Sequence, residues 1–314
     1  MFPVTTSMSL KQPDRRIDLM RERYKLLIYG TGVIGSIYAV KLSNAGYDVS
    51  VYARGNRLQS LESKGLLYRE NKAVLHASVT VLDKLNPTDV FDYVFVPIKY
   101  EQIETALTEL SVNKSPNIVT MVNNPKGYAA WENLIGKGRL IPAFAGAGGW
   151  IEDGVLHFAI TPRIIQSTTF GEIDGAITDR LHVLAKIFQS CRIPYSISKN
   201  MDAWQKSHVA LVVPLARAIY FDGGDNYTTA KNHKAIQLMS ATLKRNFMTL
   251  KSKSIPITPS KLNIFRICPL WMMNVFLQAF YSTKLAATVS SHVPYIKEEI
   301  MLLDSELQEL FLAK

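Results

Sequence analysis

The chain has 314 residues, 47% of them hydrophobic and 20% charged, which is ordinary for a globular protein and enough for two domains with their own cores. Its two cysteines, Cys191 and Cys268, exclude a disulfide framework and a closely spaced thiolate metal site, and free thiols predict an intracellular, cytoplasmic setting. The formal charge is +10, but the basic residues are spread along the chain without an arginine-rich or aromatic-interleaved tract. Nucleic acid is therefore not an expected partner, and attraction of an anionic small molecule is a sufficient use for part of the charge.

Residues 1–23 carry Arg15, Arg16, Arg21 and Arg23 among Asp14, Asp18 and Glu22. They lack the apolar core of a secretory signal and are too acidic for a mitochondrial-type presequence, so a flexible basic leader is expected. Residues 26–29 are an apolar run that reads as a buried strand. The run GTGVIG follows at once, with Gly30, Gly32, Val33, Ile34 and Gly35 in a G-x-G-x-x-G arrangement. Helical spacing over 36–44, a stop at Gly46 and a second strand over 48–53 complete a β-α-β unit. In this context Gly30 allows a tight turn, Gly32 lets a pyrophosphate approach the backbone, and Gly35 lets helix and strand pack closely. The helix start directs N–H groups and its positive dipole end at the phosphates.

The second strand ends in Ala53-Arg54-Gly55-Asn56-Arg57, with no carboxylate to accept from a ribose 2′-hydroxyl. A cation there suits a 2′-phosphate, so NADP(H) is the expected cofactor, with Arg54 its contact and Arg57 in reserve. Further on, a short helix over 58–64 ends at Gly65, and β-branched residues before 82 suggest a strand pair. Residues 92–98 form a strong buried strand ending in Lys99, Tyr100, Glu101 and Gln102, which open a helix to about 110. Residues 117–122 form another buried strand, ending in Asn123, Asn124, Pro125, Lys126 and Gly127. This alternation predicts a doubly wound parallel sheet, with ligands at the carboxyl ends of its strands. Segments 155–160 and 164–170 read as a hairpin that closes the sheet, followed by a helix over 177–191 and a strand over 194–197.

From Asn200 onward the pattern is helical: 203–220, 232–250, 270–285 and 295–312. Residues 270–281 are very apolar but too short for a membrane span, so a buried helix and no membrane partner are expected. The expected organisation is thus a leader over 1–23, a Rossmann-type α/β domain over 24–197, and a mostly α-helical domain over 198–314. The helical domain is assigned to substrate and to a homodimer contact.

Four features together resemble the ketopantoate reductase (2-dehydropantoate 2-reductase) family: GTGVIG; Arg54 after the second strand; VPIKYEQ at 96–102; and WQKSHVALVVPLARAIY at 204–220. The resemblance implies NADPH-dependent reduction of a 2-keto acid to a 2-hydroxy acid, ketopantoate to pantoate in pantothenate biosynthesis. It implies Lys206 as general acid, and Lys99, Gln102, Asn123 and Glu299 beside the cofactor. Lys99 and Asn123 would also touch substrate, or Asn124 if the register slips by one. An ammonium beside a carbonyl oxygen suits this chemistry, because hydride addition drives negative charge onto that oxygen. His208 is expected to be structural. The chain departs from the family where substrate-gripping asparagines usually follow the lysine: Ala210 and Pro214 stand there. Ser290 and Ser291 precede Glu299 at compressed spacing. Two alternatives stay open: another small carbonyl substrate, or a non-catalytic NADPH-binding sensor.

Overall fold

The computed structural model describes residues 24–221, 224–290, 293 and 296–313; the expected leader and Ser291 lie outside them. In chain order the strands are β1 (Lys25–Tyr29), β2 (Asp48–Tyr52), β3 (Leu66–Glu70), β4 (Ala73–Ala77), β5 (Thr80–Leu82), β6 (Tyr93–Val96), β7 (Ile118–Thr120), β8 (Leu140–Phe144), β9 (Ala147–Glu152), β10 (Val155–Ile160), β11 (Thr168–Phe170) and β12 (Tyr195–Ile197). The helices are α1 (Val33–Asn44), α2 (Gly55–Lys64), α3 (Ile103–Ser111), α4 (Ala129–Ile135), α5 (Asp179–Ser190), α6 (Met201–Phe221), α7 (Asn226–Lys231), α8 (His233–Ser252), α9 (Ile264–Ile267), α10 (Leu270–Tyr281), α11 (Lys284–Ser290) and α12 (Lys297–Leu312).

Eight strands form one sheet in the order β12-β11-β8-β7-β6-β1-β2-β5. The run from β5 through β1 to β8 is wholly parallel. Its order is that of a doubly wound dinucleotide sheet, with the reversal point at β1 and β6. β11 then turns antiparallel against β8, and β12 pairs parallel with β11. Leu26, Ile28, Val49 and Val51 face α1 and α5, while Leu27, Tyr29, Val94 and Val96 face α3 and α4. Both faces are thus covered, as continuous apolar strands require.

A second, four-stranded sheet in the order β4-β3-β10-β9 packs over the outer side of α1. The sequence reading paired 155–160 with 164–170, and the structure corrects this. β10 pairs instead with β9 across Asp153 and Gly154, both at positive φ (52° and 86°). An Asp-Gly pair at positive φ matches the right-handed twist of a two-residue hairpin, and that local signal outweighed the apolar pattern of 164–170. The strand pair expected before 82 is the antiparallel hairpin β3–β4, while β5 joins the main sheet beside β2.

The helical part begins with α6, whose first turns belong to the sheet half. Met201 and Trp204 are buried against strands and α4, and from Val209 onward α6 enters a separate core with α8, α10 and α12. Pro214 lies inside α6 and supplies no N–H to the carbonyl of Ala210. The side chain of buried Asn246, on α8, donates to that carbonyl at 3.2 Å and repairs the gap. The expected helix over 270–285 ends at Tyr281, and α11 starts separately at Lys284. The expectation of a buried helix there holds for one face only. Met273, Leu277 and Tyr281 are buried, whereas Leu270, Trp271, Met272, Val275 and Phe276 are exposed. No described helix is long and apolar enough to cross a membrane.

Candidate active site

The glycine turn has the geometry its sequence implies. Gly30 sits at φ +104°, where a Cβ would meet Ile98 at 2.5 Å. A Cβ on Gly35 would lie 2.0 Å from the Gly30 carbonyl oxygen, so helix and turn are in backbone contact. A Cβ on Gly32 would meet nothing within 4 Å. The space over Gly32 is therefore open at the start of α1, which is what an approaching pyrophosphate needs. Val33 and Ile34 open that helix. The Thr31 hydroxyl in this turn is buried without a partner among the described residues.

Arg54 closes β2 and caps α2. Its Nη1 pairs with Glu109 Oε1 at 2.9 Å, its Nη2 donates to the Tyr29 hydroxyl at 3.2 Å, and the guanidinium lies 5.4 Å from the Tyr52 ring centre. Arg57 behaves differently. It donates to the Thr31 carbonyl and to the Ser36 hydroxyl, both at 2.9 Å, and so braces the glycine turn from the side. Burial lowers its pKa from the usual guanidinium value, and among the described residues no carboxylate pairs with it.

The next two strand ends meet the last helix. Lys99 follows β6, and its ammonium is 3.9 Å from Glu101. Asn123 follows β7. Glu299, in the first turn of α12, accepts from the backbone N–H of Tyr100 and from the Asn123 side chain. Its carboxyl is pushed up to about 7, first by burial and then by the charge of Glu101, against the opposing pull of Lys99. Asn123 Oδ1 is buried and unpaired among the described residues. Gln102 is exposed at the start of α3. Asn124 is committed to its own turn: its Oδ1 accepts from the Lys126 N–H at 2.9 Å and its Nδ2 donates to the Gly127 carbonyl at 2.6 Å. Asn123, not Asn124, thus faces the glutamate.

Lys206 lies on the second turn of α6, with its side chain 14% exposed and its ammonium 2.5 Å from Asp202. Asp202 in turn rests against Gly127, where a Cβ would come within 3.3 Å of its Oδ1. The ammonium is therefore sheltered beside the loop that begins at Asn123. His208, two residues on and one turn from Trp204, stacks on Trp204 and touches Phe144. Burial holds its pKa down to about 3, so it stays neutral and acts as a packing group, as the sequence suggested.

Sequence reasoning missed Gln205, which is fully buried. Its side chain donates to the carbonyls of Val122 and Ala143 at 3.0 and 3.2 Å and accepts from the Asn124 N–H at 3.3 Å. It locks α6 to two strand ends and fixes the approach of its neighbour, Lys206. No periodicity marks such a residue; a polar side chain inside the apolar run of α6 was the available signal. Lys126 adds a second tie between the halves, 3.0 Å from Glu306 on α12. Among the described residues no group of His, Cys, Asp or Glu could hold a metal ion.

The donor set fits a dinucleotide. It offers an open backbone cradle at Gly32, guanidinium groups at the end of β2, and unpaired polar atoms on Thr31 and Asn123. These face the carboxyl edge of one sheet, where such ligands lie.

The comparisons with known proteins agree with this edge. Residues 26–175 match the family model Ketopantoate reductase PanE/ApbA. The chain is similar to a 2-dehydropantoate 2-reductase of Mesorhizobium japonicum, 32% identical over 102 residues, which is 32% of this chain and 31% of that protein. It is also similar to an oxidoreductase of Bacillus subtilis, YkpB, 21% identical over 188 residues, covering 58% of this chain and 60% of that one. The matched stretches thus span 31% and 60% of these relatives, less than two thirds of either. Among solved structures, a D-mandelate dehydrogenase in complex with NADH and anilino(oxo)acetate superposes with a TM-score of 0.67 at 12% identity, over 92% of this chain and 100% of that one. A 2-dehydropantoate 2-reductase of Geobacter metallireducens gives 0.65 at 16% identity, over 91% and 99%. The stretch that matches the family model, residues 26–175, runs from β1 through β11 and so contains most of the strand ends that form the edge just described.

Proposed function

We propose that the protein reduces a small 2-keto acid to the 2-hydroxy acid with NADPH, using Lys206 as the proton donor. One observation carries the reading. Glu299, from the helical part, meets Asn123 and the charge of Lys99 at the strand edge that begins with the glycine turn, and Lys206, also from the helical part, is held by Asp202 beside Gly127 in the loop that follows Asn123. The bound nicotinamide supplies the hydride.

The chain's own residues do the rest. The Gly32 backbone and the start of α1 hold the pyrophosphate. Arg54 and Arg57 stand where a 2′-phosphate would lie, with no acid in the β2–α2 turn itself. Asn123 and Glu299 hold the ribose next to the nicotinamide, and Lys99 pairs with the anionic end of the substrate. The Lys206 ammonium, sheltered and oriented by Asp202, stabilises the charge that grows on the carbonyl oxygen and gives it a proton. Trp204, Phe144 and His208 form an apolar wall behind α6, which strengthens that electrostatic contact by keeping water away.

Ketopantoate is the family's substrate. In this chain Ala210 and Pro214 offer no side-chain donor on the turns beyond Lys206, and the Ala210 carbonyl is already engaged by Asn246. A site that hydrogen-bonds its substrate rejects molecules lacking the matching groups, so these two positions favour another small 2-keto acid over ketopantoate. We further propose a homodimer through the outer face of α10.

The test is NADPH oxidation followed at 340 nm across a panel of 2-keto acids that includes ketopantoate and an aryl keto acid. Turnover of at least one, lost by a factor of about a thousand in Lys206→Ala with NADPH binding retained, is the expected result. NADPH binding without turnover across the whole panel would replace the reductase by a cofactor-binding sensor.

A further inference from the structure

We propose that Glu109 sets the preference between NADPH and NADH, by holding Arg54 away from a 2′-phosphate and by placing a carboxylate where β2 supplies none. The inference rests on the nicotinamide reading above and adds to it a residue from a distant element.

Glu109 is on the last turn of α3, far from the glycine turn in sequence. Both of its oxygens are engaged, one at the end of β2 and one at the end of β1. Oε1 takes Arg54 at 2.9 Å, and Oε2 accepts from the Tyr29 hydroxyl. Tyr29 is the residue immediately before Gly30, and its phenol also accepts from Arg54 at 3.2 Å. Burial and the neighbouring Glu109 hold the Tyr29 pKa well above its usual range. The phenol therefore remains a donor and keeps the carboxylate in place. The guanidinium of Arg54 lies 5.4 Å from the Tyr52 ring centre and already spends one N–H on Glu109 and one on Tyr29, while its side chain stays 57% exposed.

The two dinucleotides differ by a single phosphate, and this cluster treats them oppositely. A 2′-phosphate at the end of β2 would have to draw Arg54 off Glu109, and it would then face the released carboxylate at short range. Like charges at such a distance are unfavourable, so part of the gain from the new Arg–phosphate pair is cancelled. A ribose 2′-hydroxyl asks for neither change, because it can donate to the carboxylate as it stands. The missing acid of the β2–α2 turn is thus supplied from α3. Arg57, which has no carboxylate partner among the described residues, is the guanidinium still able to favour phosphate.

The experiment is titration calorimetry of NADPH and NADH against wild type, Glu109→Gln, Arg54→Ala and the double variant, at low and moderate salt. Glu109→Gln is expected to raise the NADPH-over-NADH affinity ratio about tenfold, and Arg54→Ala to lower it. In the double variant the part of the Glu109→Gln effect that acts through Arg54 should disappear, leaving the smaller part that comes from the carboxylate itself. Added salt should shrink the Glu109→Gln effect. Glu109→Ala, at a half-exposed position, gives the same reading if Gln folds poorly. A ratio unchanged or lowered by both Glu109 variants, with both dinucleotides still bound, overturns the role of Glu109 alone. Failure of wild type to bind either dinucleotide overturns the nicotinamide reading and this inference with it.

Discussion

In the proposed function, the sheet half and the helical half of this molecule recognise their ligands by different means. At the glycine turn the backbone is the binding surface: the open space over Gly32 and the contact of Gly35 with the Gly30 carbonyl need no side chain at all. In the helical half the proposed working groups are side chains on long helices, Lys206 on α6 and Glu299 on α12, and packing brings Glu299 to Asn123 and Lys206, through Asp202, beside the loop that follows it. Charge divides the halves too. Between Asp225 and Glu298 there is no acidic residue and there are ten Lys or Arg, so the whole formal charge of +10 sits in that helical stretch and the rest of the chain is balanced. A backbone site tolerates changes around it and fails abruptly when a Cβ intrudes. A side-chain site fails by degrees.

The largest effect expected from this contrast is at Gly35. Gly35→Ala puts a methyl 2.0 Å from a backbone oxygen that cannot retreat without moving β1 or α1. Overpacking of this kind costs about 3 kcal/mol, and the turn that receives phosphate is distorted with it. Thermal or urea unfolding should show that loss, together with loss of dinucleotide binding. An alanine variant that keeps both would break the claim that backbone contact shapes this site.

A smaller and graded effect is expected at Glu299. Its carboxyl holds its proton to about pH 7 in the fold, against a usual value of 4.5. A raised carboxyl pKa means that the native state binds the extra proton. The group therefore favours folding least above pH 7, and its unfavourable contribution develops as pH rises from 4.5 to 7. The full swing is at most about 3.5 kcal/mol, because each tenfold change in proton affinity between the folded and unfolded chain is worth about 1.4 kcal/mol. Glu299→Gln should remove it, flattening the fall in unfolding free energy across that window. If the variant keeps the wild-type slope, Glu299 is not the desolvated group at the joint between the halves.

The same contrast decides what could be read from the sequence. The glycine turn, the parallel sheet around it and the position of Arg54, Lys99 and Asn123 at strand ends were legible because each sits next to its strand in sequence, and strand ends gather at one edge. Glu109 was not legible. It lies in the last turn of an ordinary amphipathic helix, and only the fold brings its carboxylate to Arg54. Gln205 and Asn246 escaped for a related reason: each satisfies backbone groups freed elsewhere, at Val122, Ala143 and Ala210, and no local pattern announces that duty. The Asp153-Gly154 hairpin was legible in principle, since its dipeptide is a strong turn signal, yet the apolar run after it drew the pairing to the wrong segment.

The smallest effects on folding, and the sharpest on assembly, are expected on the outer face of α10. Trp271, Val275 and Phe276 are each more than 60% exposed, in a helix whose other face fills the core. A helix apolar on all sides is normally covered on all sides. No charged residue occurs between Arg266 and Lys284, although the surrounding stretch is wholly basic. Two copies could therefore join their apolar faces while their cations stay at the rim, where they repel. That arrangement fixes the sign of the salt dependence. Screening weakens the repulsion and leaves the apolar contact intact, so the dimer should tighten as salt rises, the reverse of an interface held by ion pairs. In sedimentation, Trp271→Ser with Phe276→Ser should yield a monomer at every salt concentration. Its unfolding free energy should stay within about 0.5 kcal/mol per substitution of wild type at a concentration where wild type is also monomeric, because these side chains are solvated there already. A wild-type protein that remains monomeric at high salt and high concentration would leave the face to another partner, and a dimer that loosens with salt would place the contact elsewhere on the molecule.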